Sequence, residues 1–435
     1  MTTTHRNSSP GPIALRARYV FPVAGPPIPG GVVVVDRGRI AAVVADPRET
    51  AVRPITDLGG AAILPAFVNA HTHLEFSDLA EPLGPAARGF AAWIRSVVEN
   101  RRSRQQDTEV HRSEKISVDA RRRAVESGLA ESAHHGAATL GEIATPGWPR
   151  EPFEGSPLSG TVFLELLTLD PQRVDSLMAM AAEHLDCGMF TSGCWRAGLS
   201  PHAPYSVHLD LLHRVVALAS ERNVPLAMHL GESLDELELL SSHSGPLVQL
   251  LRELDFWNAS AVPRGIGPTD YVRILSAAPR VLVVHGTFLD AEAHGILAQH
   301  ADTMSVVYCP RTHARLVGGN YPLAEMVERG VAVALGTDSR ASNPDLSMFE
   351  EFRWLAGRDT GLSPAALLEL STLAGARALG YAKETGSLEV GKRADLAVIR
   401  LPEREADDPH ELLLDDEAAI MATMCGGAAV SGNLR

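Results

Sequence analysis

Eight short apolar segments, each followed by a stretch of helical character, occupy the middle of this 435-residue chain. Apolar segments that alternate with helical patterns are typical of parallel strands joined by helical crossovers. Eight such units are the number that closes a (β/α)₈ TIM barrel, so the pattern predicts this α/β fold. The predicted strands are Ala61–Ala70, Ala138–Ile143, Thr161–Leu167, Ala197–Pro201, Val224–Leu230, Val281–Val284, Met304–Tyr308 and Val331–Leu335.

Both ends of the chain show a different pattern, in which short β-branched runs are separated by turn residues. Val32–Val35 and Ile40–Val44 flank the turn sequence Asp36–Arg39, and this arrangement predicts a β-hairpin. The same texture returns only at Gly386–Ile399 and in the C-terminal tail. We therefore expect both termini to form one small β-sandwich domain beside the barrel. The expected domains are residues 1–62 with 385–435 for the sandwich and residues 63–384 for the barrel.

Charge and hydropathy argue against two classes of partner. The chain has 39 Lys and Arg against 53 Asp and Glu, a net charge of −14, which would repel the phosphates of nucleic acids. The longest uncharged apolar stretch, residues 59–70, is too short to span a bilayer, and the first residues lack the apolar core of a signal peptide. We expect a cytoplasmic protein with neither a nucleic-acid nor a membrane partner.

The most informative local motif is His71-Thr72-His73, which directly follows an apolar run. Alternate residues of a strand point to the same face, so both imidazoles could reach one metal ion. An H-x-H motif alone is weak, because an isolated histidine is more often a hydrogen-bonded core residue. This motif gains weight from its place at the C-terminal end of a predicted strand, where barrel enzymes build their active sites.

Titratable residues stand at the same position on three more predicted strands. His229 ends the fifth strand, His285 follows the sixth, and Asp338 follows the eighth. Three imidazoles and one carboxylate would hold a divalent ion and leave a coordination position open for water, as a catalytic site requires. A bound ion lowers the pKa of its water from about 15.7 to about 7. The pattern therefore predicts a hydrolytic metal site.

Glu232 lies three residues after His229, where the chain leaves the strand. A carboxylate facing the same cavity could move a proton between water and substrate. The alternative is a helix-start carboxylate stabilised by the helix dipole.

As a set, these residues resemble the amidohydrolase superfamily. The resemblance rests on Leu64–His73, Met228–Glu232, Val284–Gly286 and Leu335–Asp338, and it extends to the closing segment Gly386–Leu396. It is greatest toward the branch that holds cytosine deaminase, s-triazine chlorohydrolases, adenosylhomocysteine deaminases and aminodeoxyfutalosine deaminases. It covers nearly the whole chain and implies a barrel hydrolase with a two-part β domain.

The resemblance implies a mononuclear metal site. The implied ligands of one zinc or iron ion are His71, His73, His229 and Asp338. Neither Ala138–Ile143 nor Ala197–Pro201 contains a lysine that could match the carboxylated lysine of dinuclear members. By the same resemblance, Glu232 is the proton-shuttling glutamate, and His285 polarises the water or the leaving group. Asp338 would also serve as the base for the attacking water.

Other residues resemble positions that contact the substrate. His202, within Ser200–Ser206, resembles the histidine that purine-type deaminases present to the heterocycle, although the segment also suits a proline-stiffened loop. Glu75, Trp93 and the segment Cys309–His313 most resemble the aminodeoxyfutalosine deaminase branch.

Two residues depart from the family pattern where the substrate would lie. His313 replaces an expected asparagine, and Arg340 occupies a place that is usually small or apolar. A guanidinium near an active-site metal predicts a substrate with an anionic group. The alternative is that Arg340 pairs with Asp345 or Glu350 at the rim, which would leave a neutral substrate.

The expected reaction is hydrolytic deamination of a small heteroaromatic, purine-like amine to the oxo compound and ammonia. One alternative is hydrolysis of a cyclic amide or of an s-triazine C–Cl or C–N bond on the same metal site. A second is a metal-binding homologue that has lost catalysis. Barrels with a β side domain commonly pair, so a homodimer is the candidate assembly, although no segment identifies an interface.

Overall fold

The computed structural model describes residues 11–84, 89–110, 114–188 and 194–434, apart from the side chains of 105–110 and 114–118. Seven strands lie in the N-terminal segment. They are β1 (Ile13–Arg16), β2 (Tyr19–Val20), β3 (Ile28–Pro29), β4 (Val32–Asp36), β5 (Arg39–Val44), β6 (Ile55–Asp57) and β7 (Ala61–Pro65). β4 and β5 form the predicted hairpin, and its central residues Arg37 and Gly38 have the positive φ angles, 48° and 76°, that a tight hairpin turn requires.

Eight parallel strands follow and form one sheet in chain order. They are β8 (Phe67–Thr72), β9 (Ala137–Ala144), β10 (Ser159–Leu166), β11 (Trp195–Pro201), β12 (Leu226–Leu230), β13 (Val281–His285), β14 (Met304–Tyr308) and β15 (Val333–Leu335). A parallel bridge between Thr72 and Asp338 joins the last strand to the first. The predicted TIM barrel is therefore confirmed.

One predicted strand is wrong in its extent. Ala61–Ala70 is two strands, β7 and β8, which separate at Ala66 and belong to different sheets. The Ala66 N–H donates to Asp395 of the C-terminal segment at 2.9 Å, so the chain changes sheets there. Both strands are buried along their whole length, and an unbroken apolar run does not reveal such a change.

The last strands are β16 (Leu396–Arg400), β17 (Ala419–Cys425) and β18 (Ala428–Gly432). They join the N-terminal strands in a six-stranded sheet of order β18-β17-β16-β7-β2-β3, in which β16 runs antiparallel to β7. A second sheet, of order β5-β4-β1-β6, packs against it through a shared apolar core that includes Leu15, Val33, Ile63 and Leu396. Both termini thus build one β-sandwich, as expected, while the expected domain bounds stay a prediction.

Helices connect the barrel strands and cover them. They are α1 (Phe90–Val110), α2 (Glu114–His134), α3 (Glu151–Glu154), α4 (Val174–Leu185), α5 (Leu209–Arg222), α6 (Leu234–Ser242), α7 (Gly245–Glu253), α8 (Pro268–Leu275), α9 (Ala291–Gln299), α10 (Pro310–Leu316), α11 (Leu323–Glu328), α12 (Met348–Ala356), α13 (Pro364–Leu370) and α14 (Leu373–Leu379). Within the described ranges, none of these helices combines the length and apolar character needed to cross a membrane.

Candidate active site

The C-terminal ends of the barrel strands surround a cavity of about 250 Å³. Strand ends supply its polar floor, and α1 with the segment around α7 supplies an apolar wall. The cavity lining includes His73, Phe76, Trp93, Arg101, Glu165, His202, Tyr205, His229, Glu232, Leu251, Phe256, His285 and Asp338.

Three predicted metal ligands meet on the floor of this cavity. His71 and His73 lie at the end of β8 and His229 lies on β12, and one ligand nitrogen from each falls within 4.8 Å of the others. The Nε2 atoms of His73 and His229 are 3.3 Å apart. Asp338 Oδ1 lies 3.6 Å from His71 Nε2 and 3.7 Å from His73 Nε2. The structure therefore gathers all four predicted ligands in one place.

The protonation states of this cluster fit a cation. Burial lowers the pKa of His73 and His229 well below the usual value, so both imidazoles are neutral and present lone pairs. Among the described residues, neither ring nitrogen of His71 has a hydrogen-bond partner, although both atoms are buried. Burial alone would raise the pKa of Asp338, but His71 and His73 hold it below its ordinary range. Nitrogen donors with one carboxylate suit a divalent transition metal.

Two of the strand-end residues have unusual backbone conformations. His285 and Asp338 have φ angles of 71° and 58°, in the left-handed region that residues with a Cβ seldom adopt. Such conformations persist where the surroundings hold them, and they concentrate at functional sites. The Asp338 N–H donates to His71 O at 3.0 Å, and Thr72 Oγ1 donates to Asp338 O at 3.1 Å. These bonds fix Asp338, a predicted ligand, to the strand that carries His71.

Gly336, two residues before Asp338, explains how closely the two strands approach. A Cβ at this position would lie 2.9 Å from the carbonyl oxygen of His71 and 3.0 Å from its nitrogen. A larger residue would therefore displace His71. The glycine of the Gly336-Thr337-Asp338 motif keeps two predicted metal ligands, His71 and Asp338, in register.

Glu232 faces the cavity and is buried. Its Oε1 lies 3.4 Å from His285 Nε2. Burial, reinforced by the charges of Asp338 and Glu236, raises the pKa of Glu232 well above its usual value. The environment therefore favours the protonated carboxyl group, which can donate a proton.

Glu232 is not a carboxylate in the first turn of a helix, because it precedes Ser233, which is the N-cap of α6. The acidic residues of the first turn are Asp235 and Glu236. The Glu236 carboxylate accepts from the N–H groups of Gly231 and Glu232 at 2.9 and 3.0 Å. Glu236 thereby holds the turn that carries Glu232.

Two of the predicted substrate contacts line the cavity. His202 follows β11, and its Nδ1 lies 2.6 Å from Ser206 Oγ. Burial lowers the pKa of His202 to about 3, so this imidazole is neutral. Trp93 belongs to the apolar wall, and its indole N–H donates to Ala341 O at 3.0 Å.

Arg340 does not reach the cavity. Its guanidinium donates to Glu131 Oε1 at 2.6 Å and to the carbonyl of Leu79 at 2.7 Å. The structure therefore pairs Arg340 within the protein, with Glu131 as its partner in place of Asp345 or Glu350. The Arg340 guanidinium, which was expected to recognise an anionic substrate, is already bonded to Glu131 and Leu79.

His313 and Glu75 also lie outside the cavity lining. His313 is buried on α10, with its ring 5.8 Å from that of Tyr308 and 5.4 Å from that of Tyr321. Glu75 pairs with Arg101, whose Nη2 lies 2.5 Å from Glu75 Oε1. Glu75 therefore contacts a residue of the cavity lining without belonging to the lining itself.

Sequence reasoning missed several polar residues of the cavity, among them Arg101, Glu165 and Tyr205. Arg101 stands in a strongly charged stretch, which resembles a solvated helix. Glu165 left a usable signal, because it is a single carboxylate inside an otherwise apolar predicted strand. Glu142 gives the same signal on β9, and its carboxylate accepts from the N–H of Leu74, next to the H-x-H motif.

Comparison with known proteins identifies a family whose sequence and fold this chain shares. Residues 62–430 match the sequence profile of the amidohydrolase family. The chain is 27% identical over 419 residues to the 5-methylthioadenosine/S-adenosylhomocysteine deaminase of Moorella thermoacetica, and the alignment covers 92% of this chain and 89% of that protein.

Solved structures of similar architecture include the aminofutalosine deaminase of Helicobacter pylori in complex with methylthio-coformycin. That structure aligns with a TM-score of 0.81 and 26% identity, over 96% of this chain and 100% of its own. An adenosine deaminase from Xanthomonas campestris with bound zinc aligns with a TM-score of 0.73 and 25% identity, over 96% of this chain and 92% of its own. Since the family profile spans most of its length, this chain belongs to the amidohydrolase family.

Proposed function

We propose that this protein is a metal-dependent aminohydrolase that converts a purine-like heteroaromatic amine into the oxo compound and ammonia. The observation that carries the proposal is that one cavity contains both a buried donor set for a divalent ion and the raised-pKa carboxyl group of Glu232. The names of the three relatives add support, because all three are deaminases.

His71, His73, His229 and Asp338 would hold one divalent ion, and we propose zinc, with iron as the other candidate. The imidazole and carboxylate donors suit zinc, and the similar adenosine deaminase from Xanthomonas campestris contains it. When bound, such an ion supplies an activated water nucleophile at neutral pH.

Glu232 is suited to be the general acid. Because burial favours the protonated form of its carboxyl group, it can protonate the ring nitrogen next to the carbon that bears the amino group. That protonation makes the carbon more electrophilic and prepares the ring for the loss of ammonia.

His285 and Asp338 complete the proton transfers. Asp338 is ionised and accepts a proton from the attacking water. His285 is neutral because burial lowers its pKa well below the usual value, and its Nε2 lies beside Glu232. It is placed to hydrogen-bond the water or the departing nitrogen.

The apolar wall suits a flat ring. Phe76, Trp93, Leu251 and Phe256 are apolar members of the cavity lining. Burying an aromatic ring there removes apolar surface from water, and it also excludes water from the reacting centre.

An ammonia-release screen of the zinc-loaded protein tests the proposal. The test compounds are adenosine, 5-methylthioadenosine, an amino-substituted pterin and a chlorinated s-triazine. We expect the highest kcat/KM for one of the two 6-aminopurine nucleosides. Chloride release from the triazine without ammonia release from any aminopurine would favour the alternative hydrolysis. A zinc-loaded protein that transforms none of these compounds would contradict the proposal.

The variant Glu232→Gln tests the role of the acid. We expect kcat to fall by about 10² or more, because an amide cannot carry the proton, while the metal content stays unchanged. Glu221→Gln is the matched control, since that carboxylate is 75% exposed. Wild-type turnover in Glu232→Gln would remove this residue from the mechanism.

A further inference from the structure

The backbone of His285, whose ring takes part in the proposed chemistry, has an uncommon conformation. Its φ angle is 71°, and the Gly286 N–H donates to Val284 O at 3.2 Å, which closes a three-residue turn with His285 at its centre. Turns of this kind with a positive central φ are rare and strained. The conformation of His285 therefore depends on bonds to neighbouring parts of the barrel.

Two neighbouring elements hold this turn, one on each side. On one side, the Gly286 N–H also donates to Leu230 O of β12 at 3.0 Å. On the other side, the hydroxyl of Tyr321 donates to the carbonyl of His285 at 2.6 Å. The paired residues of β13 and β14 end at Val284, so the carbonyl of His285 lies past the last pair of that ladder. Tyr321 supplies a donor to it from outside the sheet.

Tyr321 lies between α10 and α11, and aromatic contacts fix its ring. The ring stacks on that of Tyr308, the last residue of β14, with centroids 3.6 Å apart and an angle of 7° between the planes. The ring of His313 meets it edge-on, with centroids 5.4 Å apart. Packing therefore holds the hydroxyl at the carbonyl of His285, and His313, which replaces an expected asparagine, contributes to that packing.

The turn determines where the imidazole of His285 points. Its Nε2 lies 3.4 Å from Glu232 Oε1, in the cavity. A return of φ to the ordinary negative range would rotate the Cα–Cβ bond of His285 and move Nε2 away from Glu232. A displacement of about 1 Å at a reacting centre can reduce a rate by about 10².

We propose that Tyr321 is a positioning residue for the deamination, because its bond to the carbonyl of His285 keeps the imidazole of His285 beside Glu232. Tyr321 is not one of the described residues that line the cavity, so it acts through His285 and not on the substrate. This inference rests on the proposed deaminase function. The competing explanation is that the hydroxyl only satisfies a buried carbonyl and stabilises the fold.

Tyr321→Phe removes the hydroxyl and keeps the ring, and Tyr381→Phe is the matched control. Tyr381 is also buried, and its hydroxyl also donates to a backbone carbonyl, that of Gly160 at the opposite end of the barrel. Each variant loses one buried hydrogen bond, so urea unfolding should show similar losses of stability. For the zinc-loaded protein acting on adenosine, we expect kcat to fall about tenfold in Tyr321→Phe, with KM within about threefold of wild type and zinc content unchanged. In Tyr381→Phe, kcat should stay within about twofold of wild type. Equal losses of kcat in the two variants would overturn the proposal.

A double variant tests whether Tyr321 acts through His285. Adding Tyr321→Phe to His285→Asn should change the residual kcat by less than about twofold, because the imidazole that Tyr321 positions is already absent. A tenfold effect of Tyr321→Phe both with and without the imidazole would overturn the proposal.

Amide hydrogen exchange separates this proposal from the deaminase function, because it needs no substrate. The Gly286 N–H should exchange at least about tenfold faster in Tyr321→Phe than in wild type, since the turn has lost one of the bonds that hold it, and at the wild-type rate in Tyr381→Phe. Unchanged exchange at Gly286 would overturn the proposal even where deamination is confirmed. Faster exchange in a protein that releases ammonia from none of the screened compounds would support the hold of Tyr321 on His285 and refute the deaminase function.

Discussion

Replacing Glu236 by glutamine tests whether the turn that carries Glu232 depends on a buried carboxylate. The two backbone N–H groups of residues 231 and 232 donate to its oxygens at 2.9 and 3.0 Å, and each bond to a charged acceptor is worth about 1.5–3 kcal/mol. Glutamine keeps one acceptor and places an NH₂ group against the other donor, so we expect a local cost of about 3 kcal/mol.

That energy sets an upper limit on the effect on catalysis. If all of it were lost from the productive position of Glu232, kcat would fall about 100-fold, since each 1.36 kcal/mol corresponds to a factor of ten. The carbonyl of Gly231 also accepts from Phe288 N at 2.8 Å, which keeps part of the turn in place. We therefore expect kcat for adenosine to fall about tenfold in Glu236→Gln.

The assay should be run at pH 8 and at pH 6. Burial raises the pKa of Glu236 to about 7, against the opposing effect of its two backbone hydrogen bonds, so it is ionised at the higher pH and protonated at the lower. The difference between variant and wild type should therefore shrink as the pH falls. Glu238→Gln, an exposed carboxylate on the same helix, is the control. A kcat for Glu236→Gln within twofold of that control at pH 8, with the metal retained, would refute the reasoning.

Two further predictions concern the metal and the response to acid. The purified protein should bind about one divalent ion per chain, because the four predicted ligands define one site. Chelation should abolish activity until one equivalent of the ion is restored. Two tightly bound ions at full occupancy would contradict this prediction. Burial lowers the pKa of His184 to about 4, so the unfolded chain binds a proton that the folded protein does not, and stability falls as the pH drops below about 6.5. Urea unfolding should show that the difference in free energy of unfolding between wild type and His184→Gln shrinks by about 2 kcal/mol from pH 7 to pH 5. A constant difference would show that His184 has the same pKa in the folded and the unfolded protein.

The barrel and the clustering of the predicted metal ligands could be predicted because their signals are local. Each of His71, His229 and Asp338 follows a short apolar segment, and the topology of parallel strands brings such positions to one end of the sheet. The change of sheets at Ala66 left no comparable signal. This change depends on the pairing of β7 with β16, which is distant in sequence. Because β7 and β8 are both buried along their whole length, their apolar sequences do not differ at the boundary.

The residues that surround the substrate were harder to predict, because their partners are distant in sequence. Arg340 pairs with Glu131, which is 209 residues away, and no local pattern distinguishes this contact from an exposed rim. The burial of Glu165 and the position of Arg101 beside it likewise depend on how α1 packs over the barrel. Local sequence predicts which side chains a strand end presents, but it does not predict which of them find a partner within the protein.

The pairing of β7 with β16 has a consequence for synthesis of the chain on the ribosome. Roughly 330 residues separate the paired Pro65 and Leu396. At about 5–20 residues per second, β7 would wait roughly 20 to 60 seconds for its neighbour to emerge. During that interval its edge would be open to wrong partners, and only Ala66 separates it from the strand that carries His71 and leads to His73. The nascent chain therefore has a long window in which a chaperone would improve the yield of active protein.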